Sequence, residues 1–299
     1  MQANIFKIER TSVQNGPGRR TVIYFKGCPL RCNWCSHPQT NNRPTKILWD
    51  SKQCLFCRLC ATQCTSGSLS FVHNKLVFDP KKCTACRDCI VHCPSRMLHF
   101  VGQMMEQNEV MDIILENYTS GETTGGVTLS GGDPLLQPKF AAAILKECRS
   151  HSIHTTVETT GYSNPLDFSR AIAHTDLLYF ELKHYDERKH VQFTGVSNQS
   201  ILANLDFAVL MKIPLIVRIS VIPGINNAIS DAHQFASLLC KHHVSDVELI
   251  HYQDLGKRKY EDFQIPDMLA ENPSPDPAHL TEYANVLRSY GLNVTVSLQ

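Results

Sequence analysis

Between Cys54 and Cys93 the chain carries eight cysteines in two runs, CLFCRLCATQC (54–64) and CTACRDCIVHCP (83–94). The segment around them, about 48–101, has short apolar pieces and little helical periodicity, so cross-links or metals must organise it rather than an ordinary core. Disulfides fit poorly. The chain is 299 residues long with 42% hydrophobic content, enough to build a core elsewhere. Its N-terminus, MQANIFKIERTSVQNGPGRR, lacks an apolar stretch of signal-peptide length. No apolar run approaches a membrane span. Formal net charge is +1 and no long basic run occurs, which argues against a nucleic-acid or anionic-membrane partner. A soluble cytoplasmic protein is expected, and in that compartment tight cysteine clusters favour metal.

The remaining sequence alternates strands and helices. TVIYFKG (21–27), VTLSGG (127–132), HTTVETTG (154–161), DLLYFELKH (176–184), PLIVRISVIPG (214–224) and DVELIHYQ (246–253) read as strands, with NVTVS (293–297) as a last short one. Helices are expected over 109–118, 139–150, about 165–173, 199–212, 231–243 and 279–291. About six parallel strands with helices outside imply an α/β fold, a partial (βα)6 TIM-like barrel. It would comprise residues 1–47 and 102–299, interrupted by the cysteine-rich insert at 48–101. Site residues should then fall at the C-terminal ends of strands or in the loops that follow.

Each cysteine run has the spacing Cys-x2-Cys-x2-Cys-x3-Cys, and Pro94 follows the second. This is the run of two-cluster ferredoxins, in which the fourth cysteine of each run ligates the other cluster. The expected sets are Cys54, Cys57, Cys60 and Cys93 for one [4Fe–4S] cluster, and Cys83, Cys86, Cys89 and Cys64 for the second. Zinc is the rival, but its sites usually separate a pair of Cys-x2-Cys motifs by a longer loop.

That leaves GCPLRCNWC (27–35), with Cys28, Cys32 and Cys35 directly after the first expected strand. The chain has 13 cysteines. The other two, Cys148 and Cys240, lie on amphipathic helices and read as small hydrophobes. A third cluster held by only three thiolates keeps one iron open. Cys-x3-Cys-x2-Cys with Trp34 before the last cysteine resembles the signature of radical S-adenosylmethionine (SAM) enzymes. RTSVQNGPGRRTVIYFKGCPLRCNWCSHPQT, GGVTLSGGDPLLQP, VETTGY, VRISVIPGIN and HYQDLGKRKY extend the resemblance to the activating enzymes of glycyl radical enzymes, in the subgroup with a two-cluster insert.

The resemblance implies that SAM docks on the open iron. Reductive cleavage there forms a 5′-deoxyadenosyl radical, which abstracts hydrogen from a glycine of a partner glycyl radical enzyme. A flavodoxin or ferredoxin would supply the electron and the insert would relay it. By the same resemblance Trp34, Ser36, Gly131, Gly132, Asp133, Glu181, Lys183, Arg218 and Gln253 contact SAM, the alternative for Lys183 and Arg218 being salt-bridged core residues. Glu158 and Thr159, with Glu181, would hold a monovalent cation near it. Asp133 and Glu181 stand where the family usually has Glu and Asp. Gln253 stands where it has His, and Asn15 where it has Asp; His251 is either a substitute for that histidine or an ordinary strand-end histidine. Two other readings compete: a radical SAM enzyme acting on a small molecule or peptide, and a plain iron–sulfur electron carrier. The carrier would need neither an open three-cysteine site nor SGGDP.

Overall fold

The computed structural model describes residues 1–40, 47–49, 51, 53–84, 86–119, 125–252 and 276–297. In chain order the elements are β1 (Gln2–Ser12), β2 (Arg20–Phe25), β3 (Ile47–Trp49), α1 (Leu59–Thr62), β4 (Leu69–Val72), β5 (Lys75–Phe78), α2 (Asp88–Val91), β6 (Leu98–Phe100), β7 (Gln103–Glu106) and α3 (Gln107–Thr119). They continue with β8 (Gly126–Gly131), α4 (Pro138–Ser150), β9 (Thr155–Thr159), α5 (Pro165–Ile172), β10 (Leu177–Glu181), α6 (Glu187–Thr194), α7 (Gln199–Leu210), β11 (Leu215–Val221), α8 (Ile229–Lys241), β12 (Asp246–His251), α9 (Pro277–Ser289) and β13 (Asn293–Ser297).

Nine strands make one sheet in the order β13-β12-β11-β10-β9-β8-β2-β1-β7. Every neighbouring pair from β2 through β13 is parallel. Their order simply follows the chain. Sequential parallel strands joined by right-handed crossovers place their helices on one side of the sheet. A doubly wound sheet would reverse its order midway; this one does not. It is a mostly parallel α/β sheet in barrel-type order, with seven parallel strands among the described residues.

Two features were not anticipated. β1 pairs antiparallel with both β2 and β7, extending the sheet at one edge. Its alternation, with Ala3 and Ile5 buried, is broken by a register shift between Ile5 and Lys7. Helix α6 was also missed, because ERKHVQFT shows no apolar stripe. Its ends specify it instead: the Asp186 carboxylate accepts from the Lys189 N–H, and Gly195 closes the helix at φ +82°.

Strand residues Leu129, Val157, Phe180, Val217 and Leu249 pack against Ile144, Phe168, Leu205, Phe235 and Leu287 from the helices. Each such buried side chain contributes about 1.5–3 kcal/mol. The insert has a separate small core of Cys60, Leu69, Cys89 and Leu98. Around it lie two two-stranded antiparallel sheets, β3–β6 and β4–β5. With β7 the chain returns to the large sheet.

Candidate functional site

The loop after β2 is held from both sides. The Arg31 N–H donates to the Thr194 carbonyl at 2.7 Å, and the Asn33 N–H to the Phe193 carbonyl at 3.0 Å. The end of the unanticipated α6 therefore anchors the cysteine loop. Cys28, Cys32 and Cys35 lie close enough to influence one another electrostatically. Burial raises the Cys28 thiol well above its ordinary pKa, with Asp133 and the other two cysteines adding to the effect. Burial likewise pushes Cys32 up to about 12, against the pull of the Lys183 ammonium. No fourth cysteine joins them. Cys148 is buried beside Met111, and Cys240 lies exposed beside the Tyr290 carbonyl.

Trp34 packs with Ile222, Ile225 and Tyr252 in a cluster that also touches Cys32 and Phe193. Its indole N–H is buried and makes no hydrogen bond among the described residues. A buried donor left unmade is costly, and such a group in a native fold asks for an explanation. The apolar partners of Trp34 were not identified from sequence, because they come from the ends of β11 and β12, between 188 and 218 residues away.

SGGDP closes against the same loop. The Gly132 N–H donates to the Phe25 carbonyl at 2.8 Å, and the Asp133 N–H to the Gly27 carbonyl at 2.7 Å. Gly131 adopts φ +118°, and a Cβ on it would lie 2.3 Å from the Phe25 nitrogen. A Cβ on Gly132 would lie 1.9 Å from the Gly27 oxygen. Both glycines thus allow the backbones after β2 and β8 to touch. Asp133 is 1% exposed. Its carboxylate accepts from the Leu135 and Thr160 N–H groups at 2.9 Å and from the Thr159 and Thr160 hydroxyls at 2.8 and 2.7 Å. Burial raises its pKa, although all four donors oppose the shift. Asp133 ties the β8 loop to the end of β9.

Facing the cysteine loop is a buried ionic network. Arg218 donates to Glu158 at 2.7 Å and to Glu248 at 2.6 Å, with its guanidinium 3.5 Å from the centre of the Tyr179 ring. Lys183 pairs with Glu181 at 2.8 Å. Register explains the convergence: Arg218 lies level with Glu181 on β10 and with Glu248 on β12. Burial disfavours both cations, yet the carboxylates hold Lys183 and Arg218 above their ordinary pKa values. Burial also works against Glu181, but Lys183 and Arg218 outweigh it and keep that carboxyl below its usual range. Glu248 was missed from sequence, though the signal was the one that marked Arg218: a charge inside an apolar strand.

The expected cation ligands do not come together through their side chains. Successive strand residues face opposite sides. Glu158 takes Arg218 and the Asn15 amide, while Thr159 donates to Asp133. Among the described residues no three His, Cys, Asp or Glu groups could hold a single metal ion. Ser36 sits beside the His37 ring at 3.2 Å. His251 ends β12. Gln253 lies outside the described residues.

In the insert, Cys60 is influenced by Cys93, Cys57 and Cys54, and Cys89 by Cys64, Cys86 and Cys83, with a lesser effect from Cys60. A cavity is lined by Cys64, Cys83, Cys86 and Cys89 together with Ile47, Arg87 and Phe100.

Residues 14–202 match the family described as "4Fe-4S single cluster domain". The chain is 33% identical over 304 residues to the choline trimethylamine-lyase activating enzyme of Oleidesulfovibrio alaskensis, covering 99% of this chain and 98% of the relative. It is 36% identical over 264 residues to the isethionate sulfite-lyase activating enzyme of the same organism, covering 85% of each. The chain belongs to the activating enzymes of glycyl radical enzymes. In fold it resembles a radical SAM methyltransferase from Sphaerobacter thermophilus, with a TM-score of 0.56 and 14% identity over 93% of this chain and 66% of that one. Among the described residues no helix is long and apolar enough to cross a membrane.

Proposed function

We propose that the loop after β2 is the reaction centre of a SAM-dependent glycyl radical activation, in which Cys28, Cys32 and Cys35 hold a [4Fe–4S] cluster open at one iron. The reading rests on three thiols gathered without a fourth cysteine, beside a buried indole N–H that has no hydrogen-bond partner among the described residues. Bound there, cluster and SAM would supply one-electron cleavage of the sulfonium and removal of a hydrogen atom from a glycine α-carbon.

The residues present suit that ligand. Trp34, Ile222, Ile225 and Tyr252 form an apolar wall that excludes water from its adenine side. Glu158, Glu181 and Glu248 pair with Lys183 and Arg218. SAM carries a sulfonium, an ammonium and a carboxylate, and this buried set offers charges of both signs to them. Lys183, paired with Glu181 and within electrostatic reach of Cys32, would hold the ligand carboxylate. Gly131 and Gly132 bring backbone polar groups close, and Asp133 fixes that turn from behind rather than by direct contact. Ser36 and Gln253 are assigned to the same ligand. A monovalent cation on Glu158, Thr159 and Glu181 would need Thr159 to contribute through its carbonyl.

The insert, residues 48–101, holds two further [4Fe–4S] clusters on the crossed sets Cys54, Cys57, Cys60, Cys93 and Cys83, Cys86, Cys89, Cys64. Support comes from the neighbour pattern of Cys60 and Cys89, each within electrostatic reach of thiols from both runs. These clusters would relay an electron from a cytoplasmic flavodoxin or ferredoxin. The partner is a glycyl radical enzyme. Two relatives of similar identity serve different lyases, so the metabolite is not assigned.

Anaerobic reconstitution should give about 12 irons per chain. Reduced protein should cleave SAM, and mixing with a cognate partner should give a glycyl radical doublet in electron paramagnetic resonance. Zinc in place of iron, or no SAM cleavage, would overturn the proposal.

A further inference from the structure

The two halves of the insert are a structural repeat. Arg58 and Arg87, one residue after the second cysteine of each run, both adopt left-handed φ, 60° and 69°. Each precedes a one-turn helix, α1 or α2. Gly67 and Arg96, each three residues after the fourth cysteine, also share positive φ, 62° and 55°. Burial of the thiols matches position by position: Cys54 and Cys83 are half-buried, Cys57 and Cys86 exposed, Cys60 and Cys89 buried, Cys64 and Cys93 half-buried. Ligand number, backbone path and burial therefore give the two halves no reason to differ.

One hydroxyl breaks the match. In the first half, CTSGSL (64–69), the hydroxyls of Ser66 and Ser68 lie 3.4 and 3.1 Å from the Cys64 sulfur. In the second, CPSRML (93–98), Ser95 lies 3.6 Å from the Cys93 sulfur, and Met97 occupies the place of Ser68. Backbone N–H groups also face the sulfur in both halves, those of Ser68 and Leu69 toward Cys64 and those of Ser95, Arg96 and Met97 toward Cys93. The thioether of Met97 cannot donate. Ser68 is well fixed. It is 4% exposed, its hydroxyl accepts from Ser66 at 3.2 Å, and its carbonyl accepts from the Asp79 N–H at 2.8 Å.

We infer that Ser68 is a redox-tuning residue, whose hydroxyl raises the reduction potential of the cluster bound by Cys64, Cys83, Cys86 and Cys89. The inference rests on the two-cluster reading of the insert. Once Cys64 is an iron-bound thiolate, the Ser68 hydroxyl is the donor. A cluster that gains one electron from an external donor carries one more negative charge, partly on its sulfurs. A hydrogen bond to that sulfur then stabilises the reduced form more than the oxidised one. The Ser66 hydroxyl donating to Ser68 polarises the contact in the same sense. Surface charge also differs between the halves, through half-exposed Asp88 and exposed Arg96. Single substitutions at 68 and 97 leave those charges untouched.

The test uses the full-length chain with Cys28, Cys32 and Cys35 replaced by Ser, reconstituted anaerobically, so that only the insert clusters contribute. Iron content and a redox titration followed by electron paramagnetic resonance are measured with dithionite as reductant. Two signals and about eight irons are expected from two four-iron clusters. Ser68→Ala should shift one midpoint to more negative potential and leave the other in place. Ser68→Thr, which keeps a hydroxyl, should stay near the parent value. Met97→Ser should raise the other midpoint. Two intact signals whose midpoints ignore Ser68→Ala, or shift together, would overturn the role of Ser68. Four irons or fewer with a single signal would instead overturn the two-cluster reading.

Discussion

In the insert, Cys60 and Cys89 sit in a small core with Leu69 and Leu98, and each is surrounded by thiols of both runs. In the loop after β2, three thiols gather with no fourth, and their surroundings are a tryptophan whose N–H has no partner among the described residues and a buried set of charges. The insert offers sulfur a closed shell. The loop offers three sulfurs and a wall of groups suited to something else. On the proposed reading, what would separate an electron-relay site from a reaction site is the kind of group held ready at the fourth position.

Removing one ligand from the loop is the strongest way to break that comparison. Cys32→Ala should abolish reductive SAM cleavage and lower iron by about a third while the insert signals persist; unchanged cleavage would refute the assignment. Next comes the charged wall. Arg218→Met leaves Glu158 and Glu248 buried without their shared cation, and urea denaturation should show a loss of about 3–5 kcal/mol. A loss under 1 kcal/mol would mean that the network is solvated. Gly132→Ala forces a methyl group against the Gly27 carbonyl. It should cost about 1–3 kcal/mol in the same assay and weaken SAM binding in equilibrium dialysis.

A smaller effect should appear with pH. The Glu181 carboxyl is held below its ordinary 4.5, so its contribution to stability is present above that value and is lost as pH falls through the depressed pKa. Glu181→Gln should flatten this acid limb in denaturation midpoints between pH 6 and 3. Asp133 acts in the opposite sense, because its raised pKa means that protonation favours the folded state. The smallest effect is expected at Cys240→Ser. An exposed thiol outside both regions should leave iron content unchanged and stability within about 0.5 kcal/mol.

Much of the fold was legible. The strands β2, β8, β9, β10, β11, β12 and β13 fall where β-branched and aromatic runs ended in Gly, Pro or polar residues. β1 was missed because a register shift breaks its alternation, and α6 because its specification lies in the caps Asp186 and Gly195 rather than in a stripe. At the site, Arg218 and Lys183 were visible as charges in apolar strands. Their partners were not, and neither was the diversion of Asp133 into bracing its own turn.

By itself the sequence determined which thiols can act together within each run, because two or three intervening residues cannot carry neighbouring cysteines more than about 10–14 Å apart. It also determined the alternation of strands and helices, through local periodicity and turn chemistry. Only the tertiary structure decided that Arg218 meets Glu158, 60 positions away in the chain, and Glu248, 30 away. It likewise decided that Trp34 meets Ile222 and Tyr252. Those meetings depend on which strands are neighbours and in what register, and both are fixed by packing the whole sheet at once.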